Sequence, residues 1–262
     1  MNCFSWNCRG LGNPLTVHVL LGLISQDRHD VLFLCETLSN ARRVESVRVR
    51  LRYDNCFTVE PVGRSGGLAL LWNGGLDVEV KGYSNHYIDT VVSAPGHPRW
   101  RFTGYYGSPE RHNRRHSWEL LRYLSSINSL PWVLMGDFND IMAASEKEGR
   151  VPHPEWLRRG FCEAVRESGL SDFGFEGCQF TWERGRGSVN WVREKLDRVL
   201  VSGNWRDAFP RARAWSVEGS SSDHLPLKLS TNWVGRRSVV RRPRYENSWG
   251  KLQECRDTVV SA

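Results

Sequence analysis

Polar and acidic side chains recur at or just after the ends of short apolar segments in this sequence. A phosphodiester hydrolase needs a divalent cation to neutralise developing charge, donors for the non-bridging oxygens, and a base for the attacking water. The residue types at these positions supply all three. Because the ends of strands present side chains at the rim of a sheet, we expect the following residues to meet in one site: Asn7, Glu36, Tyr106, Asp137, Asn139, Asp197, Asp223 and His224.

Three of these residues are candidate metal ligands. Glu36 directly follows the hydrophobic segment Val31–Cys35, where an unpaired charge is costly unless it meets a cation. Asn7 and Asp223 offer further oxygen ligands of the kind that Mg²⁺ prefers. The alternative for Glu36 is a strand-end acid that caps the following helix.

Asp137 and Asn139 flank a phenylalanine, Phe138. In an extended backbone, residues two apart project to the same side, so both polar groups would face the site while Phe138 points into the core. The alternative is a local Asx turn, which these residue types also favour.

His224 can donate a hydrogen bond to a phosphate oxygen or take part in proton transfer. Both roles require a second group that fixes the tautomer of the imidazole and raises its basicity, and Asp197 is suited to this. The alternative is a histidine exposed on the surface.

Strands and helices can be placed around these residues. Short β-branched and aromatic segments predict strands over Cys3–Trp6, Val31–Cys35, Gly67–Trp72, Val78–Val80, Tyr87–Ser93, Trp100–Tyr106 and Trp132–Met135, with later strands near residues 180, 196, 213 and 227. Apolar residues at intervals of three and four predict helices over Pro14–Ser25, Ala41–Leu51, Asn113–Ile127 and Pro154–Ser168. The order predicts an α/β protein of packed sheets with helices outside.

Composition indicates a folded protein with a basic surface. The chain has 262 residues, of which 40% are hydrophobic and 25% charged, which is enough for one domain or one domain plus a tail. Its 36 Lys and Arg residues against 29 Asp and Glu give a net charge of +7. This excess suits a polyanionic partner such as nucleic acid, and it is equally consistent with a role in solubility alone.

The cysteines and the N-terminus indicate the compartment. Seven scattered cysteines, never spaced as C-x-x-C, predict neither a disulfide framework nor a zinc site and favour a reducing compartment. No signal peptide is recognisable, and no apolar run approaches the ~20 residues that span a bilayer. We therefore expect a nuclear or cytoplasmic protein without a membrane partner.

Five motifs occur in the order found in the endonuclease/exonuclease/phosphatase superfamily. They are Ser5-Trp6-Asn7-Cys8-Arg9-Gly10-Leu11, Cys35-Glu36-Thr37, Gly136-Asp137-Phe138-Asn139, Leu196-Asp197-Arg198 and Ser222-Asp223-His224-Leu225-Pro226. The resemblance covers about residues 1–234 and is greatest to the endonuclease domain of plant LINE-type (non-LTR) retrotransposons, which the segments 65–72 and 180–182 also resemble. It implies a four-layer α/β/β/α sandwich of two mixed β-sheets flanked by helices, which hydrolyses phosphodiesters with Mg²⁺ or Mn²⁺.

The resemblance also implies a role for each candidate residue. Asn7 and Glu36 would hold the metal, and Asp223 would complete the site. Tyr106 would contact phosphate, and Asp137 would activate water. Asn139 would orient the scissile group, and Asp197 would orient His224.

Three further positions are predicted to bind substrate. Thr181 resembles a position that touches DNA in retrotransposon members, and Ser222 precedes the Asp-His pair as it does there. Arg9 stands where repair-type members carry an acid, so a second metal is not expected at that position and Arg9 is predicted to bind phosphate instead.

The resemblance leads to the hypothesis of a metal-dependent endonuclease that nicks DNA to leave a 3′-hydroxyl, acts as a monomer and has no protein partner. The alternatives are a phosphatase or lipid phosphodiesterase on the same fold, and a catalytically silent relic that binds nucleic acid. The domain is expected to end near residue 234. Residues 235–262 form a basic tail that resembles the linker before a reverse transcriptase, and the chain is therefore interpreted as a fragment.

Two other features can be explained either by nucleic-acid binding or by ordinary protein structure. The basic segment Arg111–His116 is predicted either to follow a phosphate backbone or to be a solvated face. Most tryptophans lie in or beside apolar strands, so core packing is preferred over base stacking for Trp6, Trp72, Trp100, Trp132 and Trp215.

Overall fold

The computed structural model describes residues 1–27, 29–63, 65–218 and 222–232, so the expected domain end and the basic tail lie outside the described residues. The helices in these ranges are α1 (Pro14–Gln26), α2 (Ala41–Leu51), α3 (Arg114–Ile127), α4 (Glu155–Glu167) and α5 (Gly203–Ala208). The strands are β1 (Asn2–Asn7), β2 (Val31–Cys35), β3 (Asn55–Val59), β4 (Leu68–Trp72), β5 (Asp77–Ser84), β6 (Tyr87–Ser93), β7 (Trp100–Tyr106), β8 (Trp132–Asp137), β9 (Lys147–Gly149), β10 (Leu170–Asp172), β11 (Trp182–Arg184), β12 (Val192–Glu194), β13 (Asp197–Ser202), β14 (Arg213–Ser216) and β15 (Leu227–Ser230).

The strands form two six-stranded mixed sheets and one small sheet. The first sheet has the order β14-β15-β1-β2-β4-β3, the second has the order β10-β13-β8-β7-β6-β5, and β11, β12 and β9 form the third. In the first sheet β1 and β2 are parallel, and in the second β7 and β8 are parallel. Each large sheet therefore brings the carboxyl ends of two neighbouring strands to one edge.

Both faces of the central strands are buried, which explains their continuous apolar character. Along β2, Phe33 and Cys35 face the second sheet, whereas Leu32 and Leu34 face α1 and α2. The sheets approach each other closely at Gly104 on β7, where a Cβ atom would lie 2.1 Å from the ring of Phe33.

Helices cover the outer face of each sheet. Residues of α1 and α2, including Leu20 and Val47, pack on the first sheet, and residues of α3 and α4, including Leu121 and Phe161, pack on the second. The structure thus confirms the predicted four-layer sandwich of two mixed sheets between helices. None of the helices in the described ranges combines the length and the apolar character needed to cross a bilayer.

Most long elements match their predictions closely, although β5 extends over Asp77–Ser84 where a strand was predicted over Val78–Val80, and several short elements were missed. The helix predicted over Ala41–Leu51 has those bounds, whereas β9, β10, β12 and α5 were not predicted. Three strand residues are too few to show a periodicity, so tertiary pairing decides their structure. Trp6, Trp100 and Trp132 are buried as expected, while Trp72 and Trp215 are only half-buried.

Candidate active site

Residues distant in the chain converge on the side chain of Asn7 at the end of β1. Its Nδ2 donates to Asp137 Oδ2 over 2.9 Å and to Glu36 Oε1 over 3.1 Å, and it lies 3.5 Å from His224 Nε2. Strand register explains this meeting, because Asn7 pairs with Cys35, directly before Glu36, while Asp137 pairs with Asp197 across β8 and β13. The cluster lies where both large sheets end.

Glu36 has a conformation that serves the site rather than the following helix. Its backbone is left-handed, with φ 51°, and its Oε1 also accepts a hydrogen bond of 2.9 Å from the hydroxyl of Tyr106. Helix α2 is capped by Asn40, whose side chain accepts from Arg43 N over 3.0 Å. The capping alternative for Glu36 is therefore wrong.

Asp137 reaches the site by a turn that the extended-backbone argument did not describe, and the side chain of Asn139 is directed to Gly107. Asn139 N donates to Asp137 Oδ1 over 2.9 Å, which is the Asx turn, and the φ of Asn139 is 54°. Asn139 Nδ2 donates to Gly107 O over 2.9 Å. The expectation that both side chains project together from an extended strand is corrected, because β8 ends at Asp137 and the turn directs its Oδ2 to the cluster.

His224 is buried and paired with Asp197. The distance from His224 Nδ1 to Asp197 Oδ2 is 2.9 Å, and His224 Nε2 lies 3.8 Å from Asp137 Oδ2. Burial disfavours the charged imidazole, but the carboxylates of Asp197 and Asp137 outweigh this effect and raise the pKa of His224 to about 9. The side chain is therefore a cation at neutral pH, and a surface histidine is excluded.

The surroundings of Asp137 have opposing effects on the pKa of its carboxyl. Burial raises the pKa of its carboxyl above the ordinary range, and the positive charge of His224 counteracts this rise. Asn7 and the backbone of Asn139 donate to the charged form. A carboxyl with a raised pKa, held by fixed donors, is suited to accept a proton from water.

Asp223 faces Glu36 across the side chain of Arg9. Arg9 Nη1 donates to Asp223 Oδ2 over 3.0 Å, and Arg9 Nε lies 3.7 Å from Glu36 Oε2. The indole Nε1 of Trp182 donates to the same Asp223 oxygen over 2.9 Å. Trp182 was not predicted as a site residue, and its place beside Thr181 in the segment 180–182 is the signal that could have indicated it.

The oxygen set of Glu36 and Asp223 fits a hard divalent cation. The guanidinium of Arg9 already stands as a cation between the two carboxylates, which shows that this position attracts positive charge. A second group, Asp137, Asp197 and His224, has ligand atoms within 4.8 Å of one another. In this second group the carboxylate of Asp197 is already paired with His224 Nδ1 over 2.9 Å.

Thr181 and Ser222, which are predicted to bind substrate, both make hydrogen bonds within the protein. Thr181 is fully buried, and its Oγ1 accepts from Leu196 N over 3.0 Å and from Asp197 N over 2.8 Å. Ser222 Oγ donates to Asn7 O over 2.9 Å and accepts from His224 N over 3.1 Å. Both hydroxyls thus hold the backbone of site residues, and a contact with substrate stays a prediction.

The metal role of Asn7 also stays a prediction. Its Nδ2 donates to the carboxylates of Glu36 and Asp137, and its Oδ1 accepts from Arg9 N over 3.3 Å. What the structure shows is that this amide fixes the carboxyl of Asp137 relative to that of Glu36.

The basic segment Arg111–His116 is only partly a surface feature. Arg114 is buried and lies 3.1 Å from Asp140 Oδ1, so its charge is neutralised inside the protein. Arg111 and His112 are exposed. The interpretation of the whole segment as a track for a phosphate backbone is therefore corrected for Arg114.

The comparisons agree with this geometry. The sequence matches the Endonuclease/Exonuclease/phosphatase family over residues 4–224, and a comparison with curated protein sequences finds no match. The structure is similar to the endonuclease domain of TRAS1, a telomere-specific non-LTR retrotransposon, with a TM-score of 0.65, 15% identity, and coverage of 87% of this chain and 96% of that one. It is also similar to an AP endonuclease from Archaeoglobus fulgidus, with a TM-score of 0.68, 17% identity, and coverage of 88% and 98%. For the 3'-5' exonuclease NExo from Neisseria meningitidis the TM-score is 0.65 at 19% identity, with coverage of 89% and 100%. The chain belongs to the endonuclease/exonuclease/phosphatase family, as its motifs predict.

Proposed function

We propose that the chain is a metal-dependent phosphodiester hydrolase that nicks DNA and leaves a 3′-hydroxyl end. The observation that carries this proposal is the placement of Asp137 Oδ2 within 2.9 Å of Asn7 Nδ2 and 3.8 Å of His224 Nε2. A base, a fixed donor and a buried cation thus face one point at the sheet edge. A phosphate at that point would meet the groups that its hydrolysis requires.

Asp137 is the base in this proposal. Its carboxylate takes a proton from the water that attacks phosphorus in line with the departing 3′ oxygen. Asn7 holds the carboxylate by its amide, and the Asx turn with Asn139 fixes the second oxygen. The bond from phosphorus to the 3′ oxygen breaks, and that oxygen takes up a proton from solvent water and ends as the hydroxyl.

His224 stabilises the negative charge that develops on the phosphoryl oxygens. Its imidazole is a cation at neutral pH, because Asp197 lies 2.9 Å from Nδ1 and keeps that nitrogen protonated. Nε2 is left facing Asp137 and the cleft. Tyr106 donates a hydrogen bond to Glu36, and in this proposal its hydroxyl also contacts the phosphate.

Glu36 and Asp223 would hold Mg²⁺ or Mn²⁺, with Asn7 as a third ligand. When bound, such an ion neutralises charge on the phosphate and orients it for attack. The two carboxylates fit this role because they already share one cation, the guanidinium of Arg9.

DNA is the substrate best supported by charge and by likeness. The net charge of +7 favours a polyanion. A structure of the 3' phosphatase NExo contains a product DNA hairpin, and the TRAS1 domain comes from a retrotransposon. The likeness to the TRAS1 domain, together with the motifs that resemble plant LINE-type elements, supports an origin in a LINE-type element.

The proposal is tested with supercoiled plasmid and Mg²⁺, in parallel with inositol polyphosphates and sphingomyelin. We expect conversion of supercoiled plasmid to the open circle, blocked by EDTA and by Asp137→Asn, and nicks that DNA polymerase extends without prior end repair. Release of phosphate from inositol polyphosphates without nicking would instead establish a phosphatase, and release of phosphocholine from sphingomyelin without nicking would establish a lipid phosphodiesterase. Binding of DNA with no turnover of any substrate would establish a silent relic.

A further inference from the structure

Arg9 links the two carboxylates to which the metal is assigned. Its Nη1 lies 3.0 Å from Asp223 Oδ2, and its Nε lies 3.7 Å from Glu36 Oε2. The backbone of Arg9 is left-handed, with φ 47°, a conformation that a long side chain adopts only at a cost. The fold therefore holds Arg9 in a strained conformation that directs its charge between the carboxylates.

We propose that Arg9 is a built-in cation that competes with the divalent ion for Glu36 and Asp223 and moves to a substrate phosphate when the ion enters. This inference rests on the metal ligands of the proposed function, and only its second half requires DNA. The exchange between guanidinium and ion concerns the protein without DNA.

The carboxylates are fixed, whereas the arginine is free to leave. Glu36 is held by Asn7 and Tyr106, and Asp223 is held by the indole of Trp182. The Arg9 side chain is 49% exposed, against 17% for Glu36 and 27% for Asp223. When an ion displaces the guanidinium, the ligands stay in place and Arg9 swings towards solvent at the mouth of the cleft.

Two positive charges cannot share this position without repulsion. A guanidinium held within contact distance of both carboxylates lowers their net charge and weakens their attraction for a divalent ion. After displacement the planar guanidinium remains near the cleft, where it can pair with a phosphate through two hydrogen bonds. Arg9 thus supplies a second positive charge to the substrate phosphate, beside that of the ion.

The test is a titration of the full chain with Mn²⁺, followed by electron paramagnetic resonance of the free ion in the absence of DNA. We expect Arg9→Met to bind Mn²⁺ about tenfold more tightly than the wild type, because one repelling charge is gone. Arg9→Lys keeps the charge, so its affinity should stay within about threefold of the wild type. Arg99→Met is the matched control, since Arg99 is an exposed arginine that pairs with Glu79 elsewhere, and it should leave the affinity unchanged.

Two results would overturn the inference. One is a Mn²⁺ affinity of Arg9→Met equal to or below that of the wild type, in protein whose circular dichroism and Tm are unchanged. The other is an equal gain in Arg9→Lys, which would show that charge is not the cause.

The outcome is separable from that of the proposed function. Tighter Mn²⁺ binding by Arg9→Met, together with a wild-type protein that never nicks plasmid, would support the cation exchange and refute the endonuclease. Nicking by the wild type with an Arg9-independent Mn²⁺ affinity would support the endonuclease and refute the exchange.

Discussion

Replacing Asp197 by asparagine removes one charge from the pair that holds His224. Asp197 Oδ2 lies 2.9 Å from His224 Nδ1, and both side chains are buried. At an effective dielectric constant of about 20, two unit charges about 4 Å apart interact with about 4 kcal/mol. Loss of most of that energy at the transition state corresponds to a fall of about a thousandfold in the rate of hydrolysis.

The substitution also changes the tautomer. An asparagine amide can present its NH₂ group to Nδ1, which favours a neutral imidazole with its proton on Nε2. The volume of the side chain is nearly unchanged, so we expect the fold to persist. The backbone of Asp197 remains held by the hydroxyl of Thr181.

The assay is single-turnover nicking of supercoiled plasmid by excess protein with Mg²⁺. The control is Asp207→Asn, the same substitution at an exposed position of α5, which should leave the rate unchanged. Thermal unfolding of all three proteins checks that the fold is intact. A folded Asp197→Asn protein that nicks within about threefold of the wild-type rate would refute the assigned role of the Asp197–His224 pair.

Three further perturbations probe the core, acid stability and the metal site. Gly104→Ala places a Cβ 2.1 Å from a phenylalanine ring of β2, so urea unfolding should show a loss of about 2–3 kcal/mol, whereas Gly12→Ala, with open space around it, should lose less than about 0.5 kcal/mol. Burial, aided by the charge of Lys228, lowers the pKa of His29 from 6.5 to about 4, so the unfolded chain binds a proton that the folded protein does not. The free energy of unfolding should therefore fall by up to about 3 kcal/mol as the pH drops from about 7 to 4. His29→Phe should flatten this part of the stability profile, and an unchanged profile would contradict the role of His29. Tyr106→Phe removes the 2.9 Å hydrogen bond to Glu36 and should slow nicking about tenfold, while the position of the thermal transition in EDTA stays close to that of the wild type.

The fold could be predicted where burial leaves a pattern in the sequence. The apolar run of β2 indicates a strand buried on both faces, and the structure places Phe33 and Leu34 on opposite sides of the first sheet. Strands β9 and β12 carry no such pattern, because the structure of three residues in a small sheet is decided by the strands with which they pair.

The membership of the site could be predicted better than its geometry. Residue types and order suffice to identify Asp137 and Asn139, but the backbone between them forms an Asx turn where an extended strand was expected. The link from Arg9 to Asp223 joins residues 214 positions apart. It depends on strand register and on one left-handed backbone angle, and neither is visible in the sequence.

The central claim is that Asp137 and His224 act on one phosphate as parts of a single centre. A double-mutant cycle of plasmid nicking, with Asp137→Asn, His224→Ala and the combined protein, tests it most directly. Since both groups serve the same transition state, we expect each single substitution to slow nicking by at least about a thousandfold and the combined protein to be little slower than the slower single variant. Nicking that survives either single substitution, or losses that multiply in full, would contradict it.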